Sequence, residues 1–180
     1  MRDDELGLPQ KIVAIHEALV LADVDHAFGG ALALAWCTER ARGTIDIDIN
    51  IFVSPDEAER VVGLLPVGVS SSENDLSVLG RDGQARLWWG NTPVDVFLNT
   101  TDYHPEAAGR RRFEPFMGAS IPFLACDDLA VFKAFFNRTK DWADLEEMSA
   151  AGSLNVEAVA VVLATYLGPY DDRIARLYSL

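Results

Sequence analysis

The chain has 180 residues, almost half of them hydrophobic, which is the length of one domain or of one domain with a helical appendage; the composition excludes a disordered protein. A formal net charge of −13 excludes a surface built throughout for nucleic acid, because phosphate binding draws on basic side chains, and leaves room only for a local basic patch. No apolar run approaches the roughly 20 residues of a membrane span, the acidic start Met1-Arg2-Asp3-Asp4-Glu5 has no apolar signal core, and Cys37 and Cys126 lie far apart without metal-ligand spacing, so a soluble cytoplasmic protein with two reduced, structural cysteines is expected.

Lys11 to Ala22 predicts a helix, with Ile12, Ile15, Leu19 and Leu21 largely on one side. Asp23 to Asp25 breaks it. Ala27-Phe28 reads as a short strand that stops at Gly29-Gly30, and Ala31 to Arg40, rich in Ala and Leu, as a helix. After the turn Arg42-Gly43, Thr44 to Val53 is the clearest strand, with β-branched residues alternating with Asp46, Asp48 and Asn50. Ser54-Pro55-Asp56-Glu57 starts a helix that runs to about Leu65: a cap, a proline in the first turn, then acids at the positive end of the dipole. Leu76 to Leu79, Ala85 to Trp89 and Val94 to Leu98 are predicted strands, with turns at Arg81-Asp82-Gly83 and Gly90-Asn91. Thr101 to Arg112 reads as a polar loop. After Ile121-Pro122-Phe123 the pattern turns helical. Asp127-Asp128 caps a helix to about Phe136, others cover Trp142 to Met148 and Val156 to Leu167, and Tyr170 to Leu180 is a candidate fourth. The expected fold is α/β (α+β): a small mixed β-sheet flanked by helices over residues 1–124, followed by a C-terminal helical segment, residues 125–180, packed on that core.

The chemistry centres on Phe28-Gly29-Gly30 and, sixteen positions after Gly30, Asp46-Ile47-Asp48. Residues i and i+2 of a strand share a face, so Asp46 and Asp48 point one way while Ile45, Ile47 and Ile49 point into a core. Neighbouring carboxylates repel unless a cation lies between them, and hard cations such as Mg²⁺ favour such oxygens alongside substrate phosphates. A metal-dependent phosphoryl or nucleotidyl transferase also needs a third carboxylate from another strand, to reach a metal and take the proton of the attacking hydroxyl. Asp95, a lone acid between Val94 and Val96, fits. Facing a core unpaired it would be very costly, so it is expected on the polar face beside Asp46 and Asp48.

Gly29-Gly30, a helix, Arg42-Gly43-Thr44-Ile45-Asp46-Ile47-Asp48 and the later Asp95 strand resemble the nucleotidyltransferase superfamily, the polymerase-beta-like minimal fold. The resemblance implies that Asp46 and Asp48 bind metal, that Asp95 completes the site, and that the turn at Gly29 and Gly30 cradles nucleotide phosphates. Glycine permits close backbone approach, and amides at a helix N-terminus favour anions. Many members carry Gly-Ser where this chain has Gly29-Gly30.

A later segment, Asp128 to Lys133 followed by Arg138-Thr139-Lys140-Asp141-Trp142-Ala143-Asp144-Leu145, resembles the AbiEii-type branch, known largely as toxins of toxin–antitoxin pairs. By this resemblance Lys133 meets the triphosphate and offsets transition-state charge. Arg42, just before the acid strand, either reaches phosphates or lies on the turn surface; Thr44, Lys140 and Asp141 join the nucleotide site, and Asp141 either orients Lys133 or Lys140 or caps its helix. Asp144 reads as a solvated helix acid. Also implied are Mg²⁺ or Mn²⁺, a nucleoside triphosphate as substrate, an acceptor that is tRNA, protein or small molecule, a cognate antitoxin as partner, and no membrane. The expected activity is transfer of a nucleoside monophosphate to an acceptor hydroxyl. The alternatives are an inactive nucleotide- or partner-binding relative and an antibiotic-modifying nucleotidyltransferase, whose cationic substrate the acidic surface would suit. Arg110-Arg111-Arg112 reads as a solvated loop, with contact to a nucleic-acid or nucleotide phosphate as the alternative. Trp88-Trp89 reads as one ring in the core and one on a surface, and His16, His26 and His104 as non-catalytic.

Overall fold

The computed structural model describes residues 6–180; the acidic start, Met1 to Glu5, lies outside the described residues. The chain divides into two compact units. One comprises the residues up to Leu32 together with Gly43–Leu124; the other comprises Ala33–Arg42 and Ala125–Leu180.

The first unit is built on a seven-stranded mixed sheet. Its strands are β1 (His26–Phe28), β2 (Ile47–Ile51), β3 (Val69–Ser70), β4 (Gln84–Trp89), β5 (Thr92–Phe97), β6 (Arg112–Phe116) and β7 (Ala119–Phe123), in the order β3-β4-β5-β2-β1-β7-β6. The pairs β2–β5 and β1–β7 are parallel and the rest antiparallel. Alternation decides which face is dry. Ile47, Ile49, Ile51, Leu87, Trp89, Val94 and Val96 are buried, while Asp48, Arg86, Trp88 and Asp95 occupy the alternate positions. Helix α1 (Leu8–Leu21) buries Ile12, Ile15 and Leu19. The buried ammonium of its Lys11 donates to the Trp89 carbonyl at 2.9 Å and to Thr92 Oγ1 at 3.0 Å. Helix α2 (Gly30–Thr38) starts in the first unit and ends in the second. Ser54 caps the short 3-10 turn Pro55–Glu57 that leads into α3 (Ala58–Leu64), as the Ser-Pro-Asp-Glu pattern predicts.

Several expectations are corrected in this unit. Leu76 to Leu79 is not a strand but the middle of helix α4 (Glu73–Asp82). Its start is a capping box: Ser72 accepts from the Asp75 amide, and the Asp75 carboxylate accepts from the Ser72 amide. Gly83, with φ 70°, ends it. The polar loop from Thr101 contains helix α5 (Tyr103–Gly109) and runs into β6, whose hairpin with β7 turns at Met117 and Gly118, both with positive φ. The acid strand is shorter than Thr44 to Val53. Ile45 precedes it and is 80% exposed rather than in the core.

The second unit consists of the end of α2 with α6 (Cys126–Phe136), α7 (Thr139–Ala150), α8 (Val156–Leu167) and α9 (Asp172–Leu177). Leu129, Val131, Trp142, Leu145, Met148, Val159, Leu163 and Leu177 form its core. The two cysteines are not reduced: Cys37 and Cys126, 89 positions apart in sequence, form a disulfide. Linear spacing conceals this proximity because Ala33–Arg42 folds with the later helices. No described helix is long and apolar enough to cross a membrane.

Candidate active site

Asp48 and Asp95 are directly opposite each other on the parallel strands β2 and β5. Paired residues project to the same face, so the two carboxylates lie side by side. Asp46, two positions before Asp48, is held by Thr44, whose hydroxyl donates to its Oδ1 at 2.5 Å; the Asp46 amide donates back to Thr44 Oγ1 at 3.3 Å. The Thr44 hydroxyl is thus placed on a carboxylate.

The row continues into β4, where Arg86 pairs with Asp95 in register. The guanidinium forks onto it, Nε to Oδ1 and Nη2 to Oδ2, both at 2.7 Å, and lies 4.0 Å from Asp46 Oδ2. The bond to Asp95 is the main cause that raises the Arg86 pKa above the usual arginine value, and the charges of Asp95, Asp46 and Asp48 add to it. Three carboxylates and one arginine therefore share one field.

The glycine turn abuts this row. The Gly29 amide donates to the Asp48 carbonyl at 2.9 Å. Gly30 has φ 52°, and any side chain there would collide with the Asp48 carboxylate. A serine at this position has no room, which explains the second glycine. Beneath the turn, buried Asn50 continues the face of Asp46 and Asp48.

A hard divalent cation fits this donor set in kind, since all three acids offer carboxylate oxygens on one face. As the side chains stand, no group of three His, Cys, Asp or Glu among the described residues is gathered as ligands. Asp95 turns its oxygens to Arg86 instead.

In the second unit Asp144 bridges two cations. Lys133 Nζ donates to its Oδ2 at 2.6 Å and Arg42 Nη1 to its Oδ1 at 2.5 Å. Bonding to Asp144 raises the Arg42 pKa. Lys133 and Asp144 are both buried, so the expectation of a solvated acid at Asp144 is corrected. Asp141, also buried, takes the helix-cap role: it accepts from the Arg138 amide at 3.1 Å and pairs with the Arg138 guanidinium rather than with a lysine. Lys140 is exposed on the first turn of α7.

Solved structures similar in fold to this chain are known. The solution structure of the antibiotic-resistance factor ANT(2'')-Ia matches it with a TM-score of 0.63 at 14% identity, over 96% of this chain and 97% of that one. The crystal structure of ANT(2'')-Ia in complex with adenylyl-2''-tobramycin matches with a TM-score of 0.62 at 15% identity, over 91% and 98%. The fold is nucleotidyltransferase-like. No family model and no curated protein matches the sequence.

Within this nucleotidyltransferase-like fold, sequence reasoning missed two residues. Arg86 was findable. Counting outward from the two-residue turn Gly90-Asn91 pairs Trp89 with Thr92 and hence Arg86 with Asp95. Asp144 carried a weaker signal, its helical phase one turn on from Asp141 and beside Leu145 on the buried side of α7.

Proposed function

We propose that this protein is a metal-dependent nucleotidyltransferase that moves a nucleoside monophosphate from a nucleoside triphosphate to an acceptor hydroxyl, releasing pyrophosphate. The observation that carries the reading is the row of carboxylates, Asp48 in register with Asp95 and Asp46 beside them, under a glycine turn that admits no side chain. Asp46 and Asp48 would hold Mg²⁺ or Mn²⁺, with Asp95 completing the set. The ion would supply charge neutralisation to the triphosphate. The Gly30 amide at the start of α2 would receive a phosphate oxygen, while Gly29, whose own amide is bonded to the Asp48 carbonyl, would shape the turn around the phosphates. Asp95, through a carboxylate oxygen, would take the proton of the acceptor hydroxyl.

For the acceptor, a small hydroxylated cationic molecule suits the net charge of −13, and adenylyl-2''-tobramycin bound to a protein of the same fold is such a molecule joined to an adenylyl group. The toxin reading, with an antitoxin as partner and tRNA or protein as acceptor, draws on the order Lys133, Lys140-Asp141, Asp144-Leu145. A nucleotide-binding chain without turnover is favoured by one observation, the fork of Arg86 on both oxygens of Asp95.

Calorimetry with Mg²⁺ and each nucleoside triphosphate tests the reading. The wild type is expected to bind, and Asp46→Asn with Asp48→Asn to lose binding; no binding, or binding unchanged in the double variant, would sink the proposal. Transfer of labelled nucleotide should fall at least about a hundredfold in Asp95→Asn. Binding without any transfer, across small-molecule, RNA and protein acceptors, selects the chain without turnover.

A further inference from the structure

Asp95 stands in the middle of a three-strand row. On one flank, on β2, lies Asp48, with Asp46 just before that strand begins; on the other, on β4, lies Arg86. Adjacent strands are about 4.8 Å apart, so one carboxylate can lean to either flank without moving the backbone. In the structure it leans to Arg86, with two parallel hydrogen bonds of 2.7 Å. Such a fork is the strongest pairing a carboxylate makes with a side chain. It takes a lone pair on each oxygen and holds the carboxylate toward β4 rather than toward a cation on the β2 flank.

We infer that Arg86 and a divalent cation compete for the Asp95 carboxylate, so that the third acid joins a metal site only when the guanidinium lets go. The inference rests on the nucleotidyl-transfer reading and adds a latch to it. Two further observations support the competition. The Arg86 side chain is half exposed, so its release returns the charge to water rather than stranding it in a core. Its Nη2 also lies 4.0 Å from Asp46 Oδ2, so the same group offsets a second carboxylate. Three acids against one guanidinium leave a formal charge of two negatives, which matches one divalent ion. Arg86 thus serves as a resident counter-ion that keeps the acid row folded before the ion arrives. It is a positioning residue that acts through Asp95.

The test is Mn²⁺ binding to the full chain without nucleotide, read from the loss of the free-ion signal in electron paramagnetic resonance. Arg86→Gln should bind about tenfold tighter than wild type, the scale expected when a charge-assisted pair is removed. The gain should disappear in Arg86→Gln with Asp95→Asn. Arg81→Gln, which removes an exposed arginine from the same unit, should leave affinity unchanged. Equal affinity in Arg86→Gln and wild type, with binding abolished by Asp46→Asn and Asp48→Asn, overturns the latch and leaves the metal pair standing. A gain that persists without Asp95 also overturns it, because general charge then explains the effect. If no variant binds Mn²⁺ and the Asp46/Asp48 variant binds nucleotide like wild type, the functional reading falls and the latch falls with it. Matching urea midpoints across the variants guard against misfolding as the cause.

Discussion

Gly30 is constrained twice, by a left-handed backbone and by the carboxylate of Asp48 against it. A non-glycine residue in that conformation costs on the order of 1–2 kcal/mol before any collision. Gly30→Ser should therefore lower the unfolding free energy by about 2 kcal/mol in urea titrations. Gly43→Ser, at a position with open space around it, should stay within about 0.5 kcal/mol; equal losses at the two sites would refute the steric account. Residue by residue, the acids are the most legible part of the site, because a charge between valines on a strand has only one tolerable face. Their counter-ion is less legible. An arginine in a strand looks like any solvated arginine until its cross-strand partner is known.

Among the elements, those with a regular period are readable and those defined by their ends are not. Helices α1, α6 and α8 carry apolar residues at helical spacing and lie close to where the pattern puts them. Helix α4 escapes a reading by pattern because Leu76 and Leu79 fit a short strand in isolation; the deciding feature is the reciprocal Ser72–Asp75 cap upstream. Strands β6 and β7 are short, and only their hydrogen bonds to one another define β6. At the junction of α1 and β1 the histidines set a pH dependence. His26 Nδ1 bonds to the Val24 carbonyl at 2.9 Å, which assigns it the proton, so His26 Nε2 accepts from His16 Nδ1 at 2.9 Å. Burial pushes the His26 pKa down to about 4 from 6.5, and burial also lowers that of His16. A depressed histidine means the unfolded chain binds the proton first, so stability is complete above about pH 6.5 and is lost as the pH falls toward 4. The His26 share is on the order of 3 kcal/mol. Denaturant unfolding at pH 7.5 and at pH 4.5 should reveal the loss, and His26→Leu should flatten it; a variant with an unchanged slope would show that other groups control the acid limb.

At the scale of the whole molecule, the early and late helices are joined by the bond between Cys37 and Cys126, across 89 positions. Closing a loop of that length removes about 4–5 kcal/mol of unfolded-chain entropy in the chain-entropy model. Thiol titration of the unreduced, denatured protein should find no free cysteine. Reduction, or Cys37→Ser with Cys126→Ser, should lower stability by up to that amount; two titratable thiols before reduction would remove the bond from the account. The pairing is hidden in the sequence because Ala33–Arg42 folds with helices that begin more than eighty positions later. That ten-residue excursion also fixes how the gene can be divided. A cut at 124/125 falls between the sheet and the last helices, yet the piece starting at Ala125 would keep Asp144 and Lys133 while leaving both Arg42 and Cys37 behind. The helical unit is therefore assembled from two separated stretches of coding sequence, and recombination at its apparent border would deliver it incomplete.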